Sequence, residues 1–237
     1  TLSLHDALPI SWLRVVLSHY ATGAAPANLA AIDYVIPDKH YPLPVNKLDP
    51  RGQVAPDGRR IVKTHDAFDI RSNYRCVAYV VRDPVNAIAS FYRYQKRHPQ
   101  GRDFETFVTA AVCGAHFPGS WYENVVSWTD IGAQHIERFR WLRYEDLLNG
   151  APEAIEALAD GLDLPEPDRL GALLRAYDLQ RMRGLEAQGN RVIEPKATQD
   201  GEGFIGAGAA PQDRAAFIRE VIRQRASHWA PLMERFG

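Results

Sequence analysis

The chain has 237 residues, 46% of them hydrophobic, 10% aromatic and 24% charged, the values of a soluble globular protein, which exclude disordered and collagen-like classes. With 28 basic against 29 acidic residues the formal charge is -1, so no global basic field points to nucleic acid or an anionic membrane, and an anion site must be local. Cys76 and Cys113 fit no metal-ligand or disulfide spacing, no apolar run reaches the ~20 residues of a membrane helix, and the first residues do not read as a secretory signal; one cytoplasmic domain is expected.

A helical period starts at Trp12 and carries Leu13, Val15, Val16 and Leu17 to about His19, where Ala21-Thr22-Gly23 ends it. Residues 26–58 are rich in Pro, Asp and Gly and read as loop, with a short helix near Leu29. Arg60 to His65 reads as a short strand. Cys76 to Val81 is a continuous apolar run, the pattern of a strand buried on both faces. It stops at Arg82, and Asp83-Pro84 supplies an N-cap and a first-turn proline for a helix whose apolar face is Val85, Ile88, Ala89 and Tyr92. Helices follow at Phe104–Val112 and Trp121–Trp128, then a strand at Phe139–Tyr144 and a helix at Pro152–Ala159 with Gly161 placed as its stop. Leu170–Met182 and Phe217–Trp229 are helical, and the glycine-rich stretch 189–211 reads as a long functional or disordered loop. Strands alternating with helices predict a parallel sheet covered on both faces.

Three strand ends carry residues with chemistry to offer. Arg82 closes a buried strand at the edge where open parallel sheets hold their ligands, and Ser90 lies about two turns into the next helix on a polar stripe with Asn86, Arg93 and Arg97. A guanidinium fork and a hydroxyl suit a phosphate; a solvated helix face with a structural Arg82 ion pair is the other reading. Lys63 and His65, two apart on an extended chain, point the same way. An imidazole can take a proton from an acceptor and an ammonium can neutralise an anionic group, although such a histidine also occurs as a purely structural residue. Tyr144 lines a base pocket or is a core aromatic, while Trp121 and Trp128 read as core.

In their order along the chain these segments resemble the cytosolic-type sulfotransferase family, which uses 3'-phosphoadenosine 5'-phosphosulfate (PAPS). Val62-Lys63-Thr64-His65 looks like the segment with the family's catalytic histidine, followed here by Asp66 where Leu-Pro often stands. Tyr79 to Tyr92, with Arg82 and Ser90 eight apart, is similar to the 3'-phosphate motif and is the most specific piece. Leu142-Arg143-Tyr144-Glu145-Asp146-Leu147 resembles the strand end with the adenine-contacting tyrosine, and Trp121-Tyr122-Glu123-Asn124 resembles the tryptophan-bearing helix. The resemblance runs from Ser11 to about Leu164. It implies a three-layer α/β domain of the P-loop nucleoside triphosphate hydrolase type. It also implies sulfuryl transfer from PAPS to a hydroxyl or amine of a small-molecule or glycan acceptor, without a metal. His65 would be the base, with Lys63 beside it; Arg82 and Ser90 would hold the 3'-phosphate, and Trp12 and Tyr144 the adenine.

Two segments depart from the family pattern. The family's first loop, Pro-Lys-Ser-Gly-Thr-Thr-Trp, is matched only by its tail: Ser11 takes the last hydroxyl position and Trp12 the tryptophan, while Ala7 stands for the lysine and Leu8, Pro9 and Ile10 for Ser, Gly and Thr. Residues 1–10 look like a translated sequencing adapter joined to a truncated frame, so they are expected to be a non-native leader before a single domain at 11–237. Near the C-terminus the family's Arg-Lys-Gly contact is represented by Phe204 and Gly208 without the two cations. Either Arg191 or Lys196 substitutes, or the contact is weakened, or the glycines mark a loop with no ligand role. An inactive fragment or binding-only member of the same fold is therefore the alternative expectation.

Overall fold

Four strands, β1 (Leu2–Ser3), β2 (Lys63–Thr64), β3 (Cys76–Val81) and β4 (Arg138–Arg143), lie parallel in the order β2-β1-β3-β4. They belong to a computed structural model that describes residues 2–3, 7–40, 44, 47–53, 58–95, 103–116, 118–188 and 209–236. The helices are α1 (Ala7–Thr22), α2 (Ile32–Val35), α3 (Pro84–Gln95), α4 (Phe104–Val112), α5 (Trp121–Val126), α6 (Ala133–His135), α7 (Tyr144–Leu148), α8 (Pro152–Leu162), α9 (Pro167–Ala176), α10 (Leu179–Gln188), α11 (Gln212–Arg225) and α12 (Ala230–Phe236). Among the described residues no helix is long and apolar enough to cross a membrane.

Strand β3 explains the layers. Successive side chains on a strand face opposite ways, so an all-apolar strand needs a core on each side. Ala78 and Val80 join one cluster with Leu13 and Val16 of α1, Leu158 of α8 and Leu170 of α9. Val77, Tyr79 and Val81 join another with Val85 and Ile88 of α3, Phe107 of α4 and Ile218 of α11. The expected three-layer α/β arrangement results. Helix α3 begins as its sequence dictates: Asp83 Oδ1 accepts the Asn86 N–H at 2.8 Å, Pro84 stands at the first helical position, and Val85, Ile88, Ala89 and Tyr92 are all buried.

Several elements differ from the sequence expectation for local reasons. The strand expected over 60–65 is only Lys63–Thr64, because the Arg60 guanidinium turns aside to the carbonyls of Val35 and Asp49 at 2.9 and 2.7 Å. Instead the segment Pro37–Lys39 pairs with Lys63, whose N–H bonds Pro37 O at 2.9 Å and whose carbonyl accepts Lys39 N–H at 2.8 Å. Gly161 does not stop α8; it lies inside the helix, where a Cβ would meet the Val77 carbonyl oxygen at 2.9 Å, so it permits close packing of helix on sheet. The stop is Asp163, left-handed at φ 58°, with Arg59 3.0 Å from its carboxylate. The helix expected over Leu170–Met182 is broken at Tyr177 between α9 and α10, and the one expected over Trp121–Trp128 passes after Val126 into a π turn, Ser127–Gly132. Tyr144 opens α7 instead of ending β4.

Candidate functional site

The carboxyl ends of β2 and β3 carry His65 and Arg82, with β1 between them. Neighbouring strands are ~4.8 Å apart, so the two ends stand roughly 10 Å from each other across the sheet.

At the β3 end Arg82 is buried, and its guanidinium carbon lies 5.0 Å from the centroid of the Tyr144 ring. Tyr144 reaches this place because β4 runs beside β3 over its whole length and hands the chain to α7 one residue after Arg143. Glu145 ties the two strand ends together, its Oε1 accepting the Asp83 N–H at 3.3 Å. Trp12, from α1, meets the Tyr144 ring edge-on at 6.2 Å, and its indole N–H is fixed on Tyr177 O at 2.7 Å. Arg82, Tyr144 and Trp12 thus form one continuous cation–aromatic cluster. Ser90, in the second turn of α3, is buried, and its Oγ has no hydrogen-bond partner among the described residues. A buried hydroxyl without a partner costs about 1–3 kcal/mol, so it marks a place where something polar belongs. Ser11, on α1, is fully buried.

At the β2 end Lys63 is buried and its ammonium bonds the Asp38 carboxylate, itself 2% exposed. Asp38 also accepts the His40 N–H at 2.9 Å. Burial alone would raise the Asp38 pKa; the Lys63 ammonium, the His40 N–H and the nearby His65 outweigh it and hold the carboxyl below its usual range. The His65 imidazole stacks on that of His40, with centroids 6.4 Å apart and planes at 18°. His40 Nε2 lies 3.2 Å from Asp66 Oδ1, and Lys39 Nζ lies 3.1 Å from Asp66 Oδ2. The histidine therefore sits among paired charges. Asp38 thus pairs with Lys63 directly and interacts with His65 through charge.

The structure thus groups Arg82, Tyr144 and Trp12 at one strand end and Lys63 and His65 at the other. Gly208, Arg191 and Lys196 lie outside the described residues, as does most of the loop 189–211. Sequence reasoning missed Asp38, His40, Asn124 and Glu145. Asp38 and His40 sit in a stretch with no periodicity, and only the pairing of Pro37–Lys39 with β2 gives them a role.

Residues 43–237 match the family model described as "Sulfotransferase domain". Over 117 residues the chain is 29% identical to Sulfotransferase 1A1 of Mus musculus, covering 45% of this chain and 40% of that relative. Over 95 residues it is 30% identical to Sulfotransferase 1A1 of Bos taurus, covering 38% and 32%. The aligned stretch thus spans less than half the length of these curated relatives. Among solved structures, mouse sulfotransferase SULT7A1 complexed with PAP superposes with a TM-score of 0.63 at 15% identity, covering 99% of this chain and 86% of the other. Retinol dehydratase in complex with androsterone and inactive cofactor PAP superposes with a TM-score of 0.58 at 19% identity, covering 98% and 79%. At such identities the likeness is one of fold.

Proposed function

This chain belongs to the sulfotransferase domain family, and on that premise we propose that it moves a sulfuryl group from PAPS to the hydroxyl or amine of a small-molecule or glycan acceptor. The observation that carries this reading is the buried Ser90 Oγ, without a hydrogen-bond partner among the described residues, in the helix that starts just after a buried Arg82. A hydroxyl donor and a guanidinium fork beside the Tyr144–Trp12 pair suit a nucleotide bearing a 3'-phosphate. Two solved neighbours of the fold were determined with PAP, which supports the same choice.

The donor supplies the sulfuryl group and departs as 3',5'-ADP. His65 takes the acceptor's proton on a ring nitrogen as the new bond to sulfur forms and the sulfur–oxygen bond to the phosphate breaks. Lys63 neutralises the sulfuryl oxygens; an ammonium carries three N–H donors, so bonding Asp38 and bonding the transferring group are compatible. Arg82 and Ser90 anchor the 3'-phosphate, with Gly208 beside it. Trp12 and Tyr144 hold the adenine, and Ser11 offers its hydroxyl toward the 5' end. Fixed cations and donors aimed at developing charge carry much of the rate in such a scheme. The free thiols Cys76 and Cys113 fit a reducing, cytoplasmic setting.

The test is calorimetric titration with 3',5'-ADP together with transfer from radiolabelled PAPS to a panel of phenols, alcohols and amines. Binding that Arg82→Ala abolishes, with label appearing in one acceptor class, supports the proposal. No binding, even after a glycine- and lysine-containing loop replaces residues 4–10, sinks it. A second reading, an inactive fragment or binding-only member of the same fold, is favoured by one observation: the residues between β1 and α1 are Leu4-His5-Asp6, with neither a lysine nor a glycine. It predicts nucleotide binding without transfer, and transfer once the loop is replaced. We also propose that residues 1–10 are not part of the native protein; the genomic sequence upstream of Ser11 decides, and a clone encoding the printed decapeptide would refute it.

A further inference from the structure

One face of α5 and the π turn that continues it touches both strand ends. Trp121, Asn124 and Trp128 are spaced i, i+3, i+7 and so share a face. Each is buried, and each donates a side-chain N–H to a main-chain carbonyl of the site: Trp121 Nε1 to Arg82 O at 3.0 Å, Asn124 Nδ2 to His65 O at 3.1 Å, and Trp128 Nε1 to Asp66 O at 2.9 Å. Between them Ser127 Oγ accepts the Phe68 N–H at 2.9 Å. The π turn keeps this contact close: a Cβ on Gly132 would come within 3.2 Å of the Phe68 ring. The backbone of the loop that carries His65 is therefore held at His65, Asp66 and Phe68 by the same helix that holds Arg82.

Asn124 is the member whose own orientation is fixed from β3. Its Oδ1 accepts the Tyr79 O–H at 2.9 Å, and Tyr79 is buried in the sheet. A main-chain carbonyl only accepts, so the amide has a single usable orientation, its NH2 toward His65 and its oxygen toward Tyr79. Burial pushes the Tyr79 phenol up, which keeps it a donor at neutral pH. A rigid path thus runs from β3 through Tyr79 and Asn124 to the main chain of His65.

We infer that Asn124 is a positioning residue for the base: through the chain Tyr79–Asn124–His65 it sets where the imidazole stands relative to the donor anchor at Arg82. This rests on the function proposed above, because His65 has a base's work only if sulfuryl transfer occurs. Asn124 does not touch the donor. Its loss should therefore displace the base while leaving nucleotide affinity unchanged, and an error of about 1 Å in such a geometry costs up to ~100-fold in rate.

Asn124→Asp is the sharp variant, since it keeps the shape and the acceptor for Tyr79 but replaces the donor facing His65 O with an oxygen. The expected result is a kcat lower by about ten- to a hundredfold, with the KM for PAPS and the affinity for 3',5'-ADP within about twofold of wild type. Tyr79→Phe, which removes only the outer support, should lower kcat by a few fold and serves if Asn124→Asp does not fold. Ile218→Ala, on the buried face of α11, is the control for lost stability and should leave kcat unchanged at a temperature where it is folded. The second readout needs no turnover: the imidazole nitrogen signals of His65 should shift in Asn124→Asp and Tyr79→Phe but not in Ile218→Ala. A kcat within twofold of wild type with unmoved His65 signals overturns the inference. An equal loss of nucleotide affinity and kcat overturns it as well, because it would mark a residue that supports the whole domain. If the wild-type chain transfers no sulfuryl group to any acceptor, the proposed function fails on its own test, and the positioning is still judged by the imidazole signals.

Discussion

Neighbouring strands β1 and β3 are each followed in the chain by a helix, α1 and α3, but the residues at the two junctions differ in kind. The β3–α3 turn has a capping Asp83, a first-turn Pro84, a buried Arg82 lying over the Tyr144 ring, and about two turns on a hydroxyl with no partner among the described residues. Between β1 and α1 the sequence reads Leu4-His5-Asp6, and α1 begins Ala-Leu-Pro-Ile. Phosphate-binding turns rely on glycine, so that backbone amides can approach the ligand, and on a lysine to meet its charge. On the function proposed above, the two ends of a bisphosphate nucleotide are met by separable devices. One turn carries the residue types of an anchor, while the neighbouring segment, within the ten residues proposed above to be non-native, lacks those for gripping the reacting end.

The largest test of this contrast is Arg82→Ala, which removes the charged fork and should weaken 3',5'-ADP binding by at least about a hundredfold in calorimetry, the scale of a lost charge-assisted contact. If affinity stayed within tenfold, the equipped turn would not be the anchor. Next in size, replacing residues 4–10 with a glycine- and lysine-containing loop should raise kcat/KM for PAPS by about ten- to a hundredfold while barely changing affinity for 3',5'-ADP. Equal gains in both would show that the two devices are not separable. Ser90→Ala is a smaller change with two signs. It should weaken 3',5'-ADP binding by roughly five- to tenfold, yet leave the ligand-free protein as stable or more so, because a buried hydroxyl with no partner disappears.

The smallest expected effect concerns the third strand end, β2. The Asp38 carboxyl is held below its usual range, so its folded pKa lies below the unfolded value of ~3.9. A depressed carboxylate contributes stability that is full above the unfolded pKa and is lost as the pH falls through the folded one. Compared with Asp38→Asn, the wild type should therefore melt a few degrees higher at pH 6, and that gap should narrow steadily below pH ~4. A gap independent of pH down to the acid limit would mean that the Lys63 pair contributes nothing through its charge.

What could be read in advance from the sequence follows the distance over which each residue acts. The β3–α3 unit was readable because everything that shapes it is local: an apolar run, a cap, a proline, an apolar stripe at helical spacing. Gly161 was misread since a glycine serves equally to end a helix or to let one approach a sheet, and only the carbonyl of Val77 beneath it distinguishes the two. Asp38 and Asn124 were not readable as site residues. The first acts through Lys63, 25 residues away, and the second through His65, 59 residues away, and no spacing rule links such pairs. Likewise Tyr144 was recognised as a candidate aromatic, but its place over Arg82 depends on the parallel register of β4 with β3.

Strand β3 gives alternate residues to both hydrophobic clusters, so neither layer can melt while the other stays intact without stripping one face of that strand. The two layers are coupled through this strand, and the residue that follows its end is Arg82. A nucleotide bound there is linked to the free energy of the entire domain, and its binding raises the melting temperature by mass action. A thermal-shift screen of adenine nucleotides, in which no acceptor need be known, reports directly on the anchor.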